Sequence, residues 1–378
     1  MRMPNWPAAG VRELELLRQV LDSPQWGGFH PIVTQFEQDF ASFQHCAQGV
    51  SAANGTVTLE MLLHCAGLGA GDEVIVPAIS FISTATAVSR VGATPVFVDL
   101  EPYSFNMDPD RAERAVNSKT RAIVVVHFGG SMVNLDRFTS LARDKNLLLI
   151  EDAAHAHGSE WRGRRAGSFG LAGSFSFQNG KVLTAGEGGM VTTNDAAFAG
   201  RLRSFANQGR LPGEDFFFHY SLGSNFRLTA LQAAVLTAQF EKLPGEIKLR
   251  TANASLLYRL LSDVPGLRLQ EVPAEVTANS WYLLLGRIEA GRYGETRDEF
   301  HQRLTAAGVP CTPFYPHALY GNPLYQRGGC RVEPCPNAEA CVRDAFWLPH
   351  RVLMADEETL REVAAVMAGR ATSARRDA

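Results

Sequence analysis

Apolar residues near the start of the chain recur at helical spacing. Leu14, Leu17 and Leu21 share one face, and Ile32, Phe36, Phe40 and Phe43 share another. The pattern predicts two amphipathic helices, separated by the break at 24–28. From about residue 50 to 195 the period changes, and short apolar runs alternate with helical stretches. Residues 74–77, 95–99, 122–126, 147–150 and 173–177 predict buried strands, and 188–193 predicts one more. Asp108-Pro109 and Asn134 are start signals for two of the intervening helices. Continuous apolar strands alternating with helices predict a mostly parallel sheet covered on both faces. Beyond it, 229–262 reads as helix with a kink or break at Pro244. A strand over 281–285 and helices over about 297–307 and 356–369 follow. The expected organisation is a large α/β domain over 1–245, including the N-terminal helices, and a smaller α+β domain over 246–378.

Composition narrows the class. The 378 residues are 46% hydrophobic and 20% charged, which fits a folded globular protein and excludes disorder. A net charge of −3 offers no basic excess for nucleic acid or an anionic membrane. The N-terminus lacks an apolar signal core, and no run approaches the length of a membrane span. A cytoplasmic protein is expected. Six cysteines in so long a chain make no disulfide framework. Cys330, Cys335 and Cys341 lack the pairwise spacing of common zinc sites, so no metal is expected. The arginine-rich end, 369–378, reads as a frayed tail.

Ligands of open α/β sheets sit beyond the carboxyl ends of the strands. One strand end carries Glu151-Asp152, followed by His155 and His157. Such carboxylates bind a metal, act as a base, pair with a cationic ring or merely cap a helix. A second strand runs into Gln178-Asn179-Gly180-Lys181 and then a glycine-rich stretch. Only five of the 36 basic residues are lysine: Lys119, Lys145, Lys181, Lys242 and Lys248. Arginine serves wherever a surface charge suffices, and it cannot replace an amine that must react with a carbonyl. The other four lysines sit among polar neighbours on helical surfaces or in a turn. Ala53-Asn54-Gly55-Thr56 opens a helix and reads either as a plain cap or as an anion seat. Anion seat, strand-end carboxylate and loop lysine together answer the needs of pyridoxal 5′-phosphate (PLP). These are a phosphate anchor, a partner for the pyridine nitrogen and an amine for a Schiff base.

At this point the residues resemble a known family. Glu151-Asp-Ala-Ala-His-Ala-His-Gly158, Phe175-Ser-Phe-Gln-Asn-Gly-Lys-Val-Leu-Thr-Ala-Gly-Glu-Gly-Gly189 and Gly223-Ser-Asn-Phe-Arg-Leu228 are similar to the DegT/DnrJ/EryC1/StrS sugar aminotransferases. So are Gly71-Asp-Glu-Val-Ile-Val-Pro77 and Val91-Gly-Ala-Thr-Pro-Val-Phe-Val-Asp99. The likeness runs from about residue 10 to 365. It implies the fold-type-I, aspartate-aminotransferase-like architecture and a homodimer with two shared active sites. It implies that Lys181 forms the Schiff base and shuttles the proton, and that Asp152 pairs with the pyridinium nitrogen. By the same resemblance Phe81 stacks on the ring, His155 lies beside it, and Gly55, Thr56 and Ser176 hold the phosphate. Asn225 would reach the phosphate of the neighbouring subunit's cofactor.

The family's usual amino donor is glutamate or glutamine. For the acceptor, Ser224 stands where nucleotide-sugar members carry an aromatic, and His155 replaces the more frequent glutamine. These features, with Cys335-Pro336-Asn337 and Trp347-Leu-Pro-His350-Arg351-Val-Leu353, lean toward the branch of 3-amino-5-hydroxybenzoate synthase and the cyclitol aminotransferases. The expected acceptor is a keto-sugar or keto-cyclitol, free or nucleotide-linked, with Arg227, Tyr315 and His317 as candidate contacts. Segment 313–325 departs from the aminohydroxybenzoate synthase pattern, which weighs against a dehydrating, aromatising activity. A PLP-dependent dehydratase and a non-catalytic PLP-binding regulator are the rival readings. Lys181 speaks against sugar-deoxygenating dehydratases, and the absence of a DNA-binding segment against a regulator.

Overall fold

A computed structural model describes residues 3–369. Of the predicted tail, only Gly369 falls within them. Helix α2 (Pro31–Phe43) buries Phe36 and Phe40, with Ile32 and Phe43 packed partly against the same core. Helix α1 (Val11–Leu21) corrects the spacing argument. Leu14 and Leu21 are exposed, and the buried face is Glu13, Leu16 and Val20. The inward carboxylate is satisfied. Glu13 accepts from the Gly10 N–H at 2.8 Å and Gln239 Nε2 at 2.7 Å, and it pairs with Lys242. A buried, fully partnered glutamate reads as surface in a hydropathy pattern, so the face shifts by one residue.

Strands β1 (Gln48–Ala52), β2 (Glu73–Pro77), β3 (Thr94–Val98), β4 (Thr120–Val126) and β5 (Leu148–Asp152) follow in order. Between and after them come α3 (Gly55–Cys65), α4 (Ser83–Arg90), α5 (Pro109–Ala115) and α6 (Leu135–Asp144). Asp108 and Asn134 cap α5 and α6 with their side chains, as the sequence signals require. The short hairpin β6 (Glu160–Trp161) and β7 (Arg164–Arg165) precedes β8 (Ala172–Ser176) and β9 (Gly189–Thr193). Helices α7 (Ala196–Ala206) and α8 (Ala230–Leu261) come next. Pro244 lies inside α8 without ending it, because both halves are held by packing, the first against α1 and α2 and the second in the C-terminal core.

The remaining strands are β10 (Leu267–Leu269), β11 (Val276–Ala278), β12 (Leu283–Ile288), β13 (Thr312–Pro313), β14 (Arg331–Val332) and β15 (Ala345–Pro349). The main sheet has the order β1-β9-β8-β5-β4-β2-β3-β14. Its pairs from β8 to β14 are parallel, and β9 runs antiparallel to both neighbours. Alternation along each strand feeds two cores. Ile75, Val96, Ile123 and Val125 point to one face, and Val74, Val76, Phe97 and Val124 to the other. A four-stranded antiparallel sheet, β10-β12-β15-β13, carries the C-terminal core. Leu283 and Leu285 of β12 pack with Val126 of the main sheet and with Ile79 and Phe128 just beyond the ends of β2 and β4. The two sheets are thereby packed together, with the carboxyl ends of β4, β5 and β8 beside the seam.

Candidate active site

The site starts at the helix that follows β1. Asn54 caps α3, its side chain accepting from the Val57 N–H at 3.0 Å. Gly55 must be glycine for lack of room, since a Cβ there would stand 2.6 Å from Cβ of Ser176 at the end of β8. This close approach sets the unpaired N–H groups of the helix start beside the Ser176 hydroxyl. Thr56 Oγ1 lies 2.7 Å from Ser83 Oγ at the start of α4, adding further hydroxyls. Such a cluster of free N–H and hydroxyl groups suits an anion.

Asp152 ends β5 and is buried. Its Oδ2 accepts from Thr84 Oγ1 at 2.7 Å, and its Oδ1 from the Ala154 N–H at 3.3 Å. Burial pushes its carboxyl up from the usual range, opposed by the Thr84 hydroxyl and the Lys181 charge. A fixed cation beside it would offset that cost. Lys181 projects from the loop after β8, with Nζ 4.6 Å from the centroid of the Tyr282 ring. Burial lowers its amine to about 8, against the opposing pull of Asp152. His155 is buried, and burial holds it well below its usual value, so it is neutral. Its Nδ1 accepts from the Gly129 N–H at 3.3 Å, and its ring lies 4.3 Å from Tyr282.

These groups open onto one cavity of about 640 Å³. Among the residues expected from sequence it gathers Gly55, Thr56, Phe81, Asp152, His155, Ser176, Lys181 and Tyr315. Asn225, Arg227 and His317 do not line it. Asn225 is exposed and bridges to Asn207. Arg227 is bound to Asn207 at 2.7 Å and Gln208 at 3.1 Å, and it lines a separate hollow with Arg203 and Arg210. His317 turns to its neighbour's carbonyl. The cavity also holds residues not expected to line it: Ser80, Ser83, Tyr282 and Trp347. The hydroxyl-rich run from Ser80 to Thr86 was a usable signal. Tyr282, an aromatic next to a strand, was not. A more open hollow of about 910 Å³ lies beside Tyr258 and Trp281, and none of the strand-end groups reaches it.

The sequence profile of the DegT/DnrJ/EryC1/StrS aminotransferase family matches residues 7–367. The chain belongs to this family. The aminotransferase is 36% identical to a solved 3-amino-5-hydroxybenzoic acid synthase, covering 97% of this chain and 98% of that one with a TM-score of 0.92. It is 35% identical over 393 residues to an L-glutamine:2-deoxy-scyllo-inosose aminotransferase of Streptomyces lividus, across 96% of this chain and 92% of that protein. It also resembles E. coli GDP-4-keto-6-deoxy-D-mannose-3-dehydratase, solved with hydrated PLP. That likeness has a TM-score of 0.86 and 26% identity over 96% of this chain and all of the other. The enzyme is thus a PLP-dependent aminotransferase, with the fold-type-I architecture expected of it.

The cavity fits that cofactor. The glycine-gated start of α3 suits a phosphate, the buried Asp152 a ring cation, and the half-buried Lys181 a carbonyl. Among the described residues no cluster of three or more potential ligands could hold a metal, and no helix is long and apolar enough to cross a membrane.

Proposed function

We propose that this aminotransferase moves an amino group from glutamine or glutamate to the ketone of a cyclitol or sugar, acting in the cytoplasm as a homodimer. The observation that carries the reading is the convergence of Lys181, Asp152 and the start of α3 on one cavity. The Streptomyces lividus relative, whose name specifies glutamine and a keto-cyclitol, supports the donor and acceptor classes.

In this reading Gly55, Thr56 and Ser176 hold the cofactor's phosphate, and Phe81 covers its ring. PLP supplies an electron sink for the pair of electrons left when a proton leaves the donor's α-carbon. Asp152 keeps the ring nitrogen protonated, which maintains that sink. Lys181 would hold the cofactor's carbonyl, and its amine, once free, would take up and return the proton at the donor's α-carbon. An amine with a pKa near 8 leaves roughly a tenth of the molecules unprotonated at neutral pH, roughly 300-fold more than an unperturbed lysine. His155, being neutral, adds no competing positive charge. Tyr315 and Trp347 wall the side from which the acceptor enters. Asn225, outside the cavity of its own chain, serves the partner's site.

The test is amine transfer from L-glutamine and L-glutamate to a panel of inososes, free keto-sugars and nucleotide-linked keto-sugars. Transfer to an inosose or keto-sugar is the expected result. No transfer to any member would sink the reading. The likeness to the aminohydroxybenzoic acid synthase favours a second reading, dehydration to an aromatic amine. An aromatic product from an amino-substituted cyclohexenone acid, without amine transfer, would replace the first by the second.

A further inference from the structure

Two side chains outside the proposed machinery hold the loop that carries Lys181. The indole N–H of Trp6 donates to the Lys181 carbonyl at 3.1 Å. His350 Nε2 stands 3.2 Å from the Gly180 carbonyl oxygen. A carbonyl only accepts, so Nε2 carries the proton. Burial holds the His350 ring down at about 3, so it stays uncharged at any working pH. The two donors brace each other, their rings meeting edge to face with centroids 4.5 Å apart.

Each donor is anchored elsewhere. Met3 packs against the C-terminal core, and the Ala8 carbonyl accepts from Gln239 Nε2 at 2.9 Å, so Trp6 is tied on both sides. The His350 N–H donates to the Tyr282 carbonyl at 3.0 Å, and the two rings stack with centroids 6.1 Å apart. Tyr282 is the ring that faces the Lys181 amine. Gln178 completes the hold, accepting from the N–H groups of Gly180 and Lys181 at 2.8 Å each. The peptide units on either side of Lys181 are therefore fixed by the N-terminal segment and by the turn just after β15. A lysine side chain is long and rotamer-rich, and its reach into a cavity depends on where its Cα–Cβ bond starts.

We propose that Trp6 and His350 are positioning residues for Lys181. By gripping the carbonyls of Lys181 and Gly180 they aim the amine into the cavity before the cofactor arrives. The proposal rests on the reading that Lys181 bonds to PLP.

The test compares cofactor-free native enzyme with Trp6→Phe, His350→Leu and His350→Gln. Capture of PLP is followed by absorbance and fixed with borohydride, and affinity for pyridoxamine phosphate is measured separately. Pyridoxamine phosphate has an amine in place of the aldehyde, so its binding reads the phosphate seat and ring contacts without a bond to Lys181. Losing one net hydrogen bond is expected to slow capture about threefold to tenfold in Trp6→Phe and His350→Leu. Glutamine at 350 keeps an N–H for the same carbonyl and should restore the rate to within about twofold. Pyridoxamine phosphate affinity should stay within about twofold throughout. Trp6 is only partly buried, so Trp6→Phe tests the grip even where a His350 variant does not fold. Native capture rates in the two loss variants would overturn the proposal, as would pyridoxamine phosphate affinity falling in step with capture. Failure of glutamine to restore the rate would overturn the donor role of His350. If borohydride leaves no cofactor on Lys181 of the native enzyme, the underlying assignment fails with it.

Discussion

Glu151 and Asp152 are consecutive carboxylates at the end of β5, and the pleat of the strand sends them to opposite sides of the sheet. Glu151 is fully buried and saturated. It accepts from the N–H groups of Gly167, Phe169 and Gly170 at 2.8, 2.7 and 3.2 Å, and lies 3.0 Å from His127 Nε2. Asp152 has one hydroxyl and one long backbone contact, and its remaining capacity faces the cavity. The same chemical group thus fastens a loop on one face and stays available to a ligand on the other. The number of donors already committed, rather than residue type or depth, separates a structural carboxylate from a functional one.

The contrast can be attacked by substitution. Lys181→Ala, on the cavity side with Asp152, should lower amine transfer by roughly 10⁴-fold or more and abolish borohydride fixation, with the fold retained. Full turnover in this variant would remove the lysine from the mechanism. Asp152→Asn should cost on the order of 10² to 10³-fold in turnover. In the cofactor-free protein its urea midpoint should hold or rise, because a buried and poorly compensated charge has been removed. A large drop in stability would show Asp152 to be a second Glu151. Glu151→Gln should do the reverse. Whichever oxygen its new NH2 group replaces, that group faces two donors, at a cost of about 3 kcal/mol in urea unfolding. PLP capture by the folded fraction should stay within about threefold of native, a loss corresponding to less than one net hydrogen bond. The smallest effects separate Tyr315 from His317. Tyr315→Phe should raise the acceptor KM by about threefold to tenfold through one lost hydrogen bond, whereas His317→Ala should leave it unchanged. Equal effects from both would mean that the cavity wall is drawn wrongly.

Much of this was legible in the chain. Strand ends, caps and the lysine loop all carry local signals that put Asp152, Lys181 and the start of α3 in one α/β domain, and the family resemblance joins them into one site. The face of α1 could not, because the partners that let Glu13 sit inside are Lys242 and Gln239, over 200 positions away. Tyr282 escaped for a similar reason. Its place under the Lys181 amine follows from packing one sheet against another, which no window along the sequence contains. Residue pattern alone leaves Glu151 and Asp152 as equals, and only the family resemblance singles out Asp152, since the N–H groups that occupy Glu151 come from a loop with no distinguishing composition.

Strand β14 has a bearing on how this enzyme can be rebuilt. It is two residues long, belongs to the C-terminal part of the chain, and closes the far edge of the main sheet by pairing with β3. Arg331 rivets it there, reaching Glu73 at 3.0 Å and the Ala115 carbonyl at 2.6 Å. The C-terminal portion is consequently no detachable cassette. A chimera that borrows a relative's acceptor wall by exchanging everything after α8 would also exchange this rivet. Unless the donor segment brings an equivalent, β3 is left as a raw sheet edge, open to pairing with another molecule.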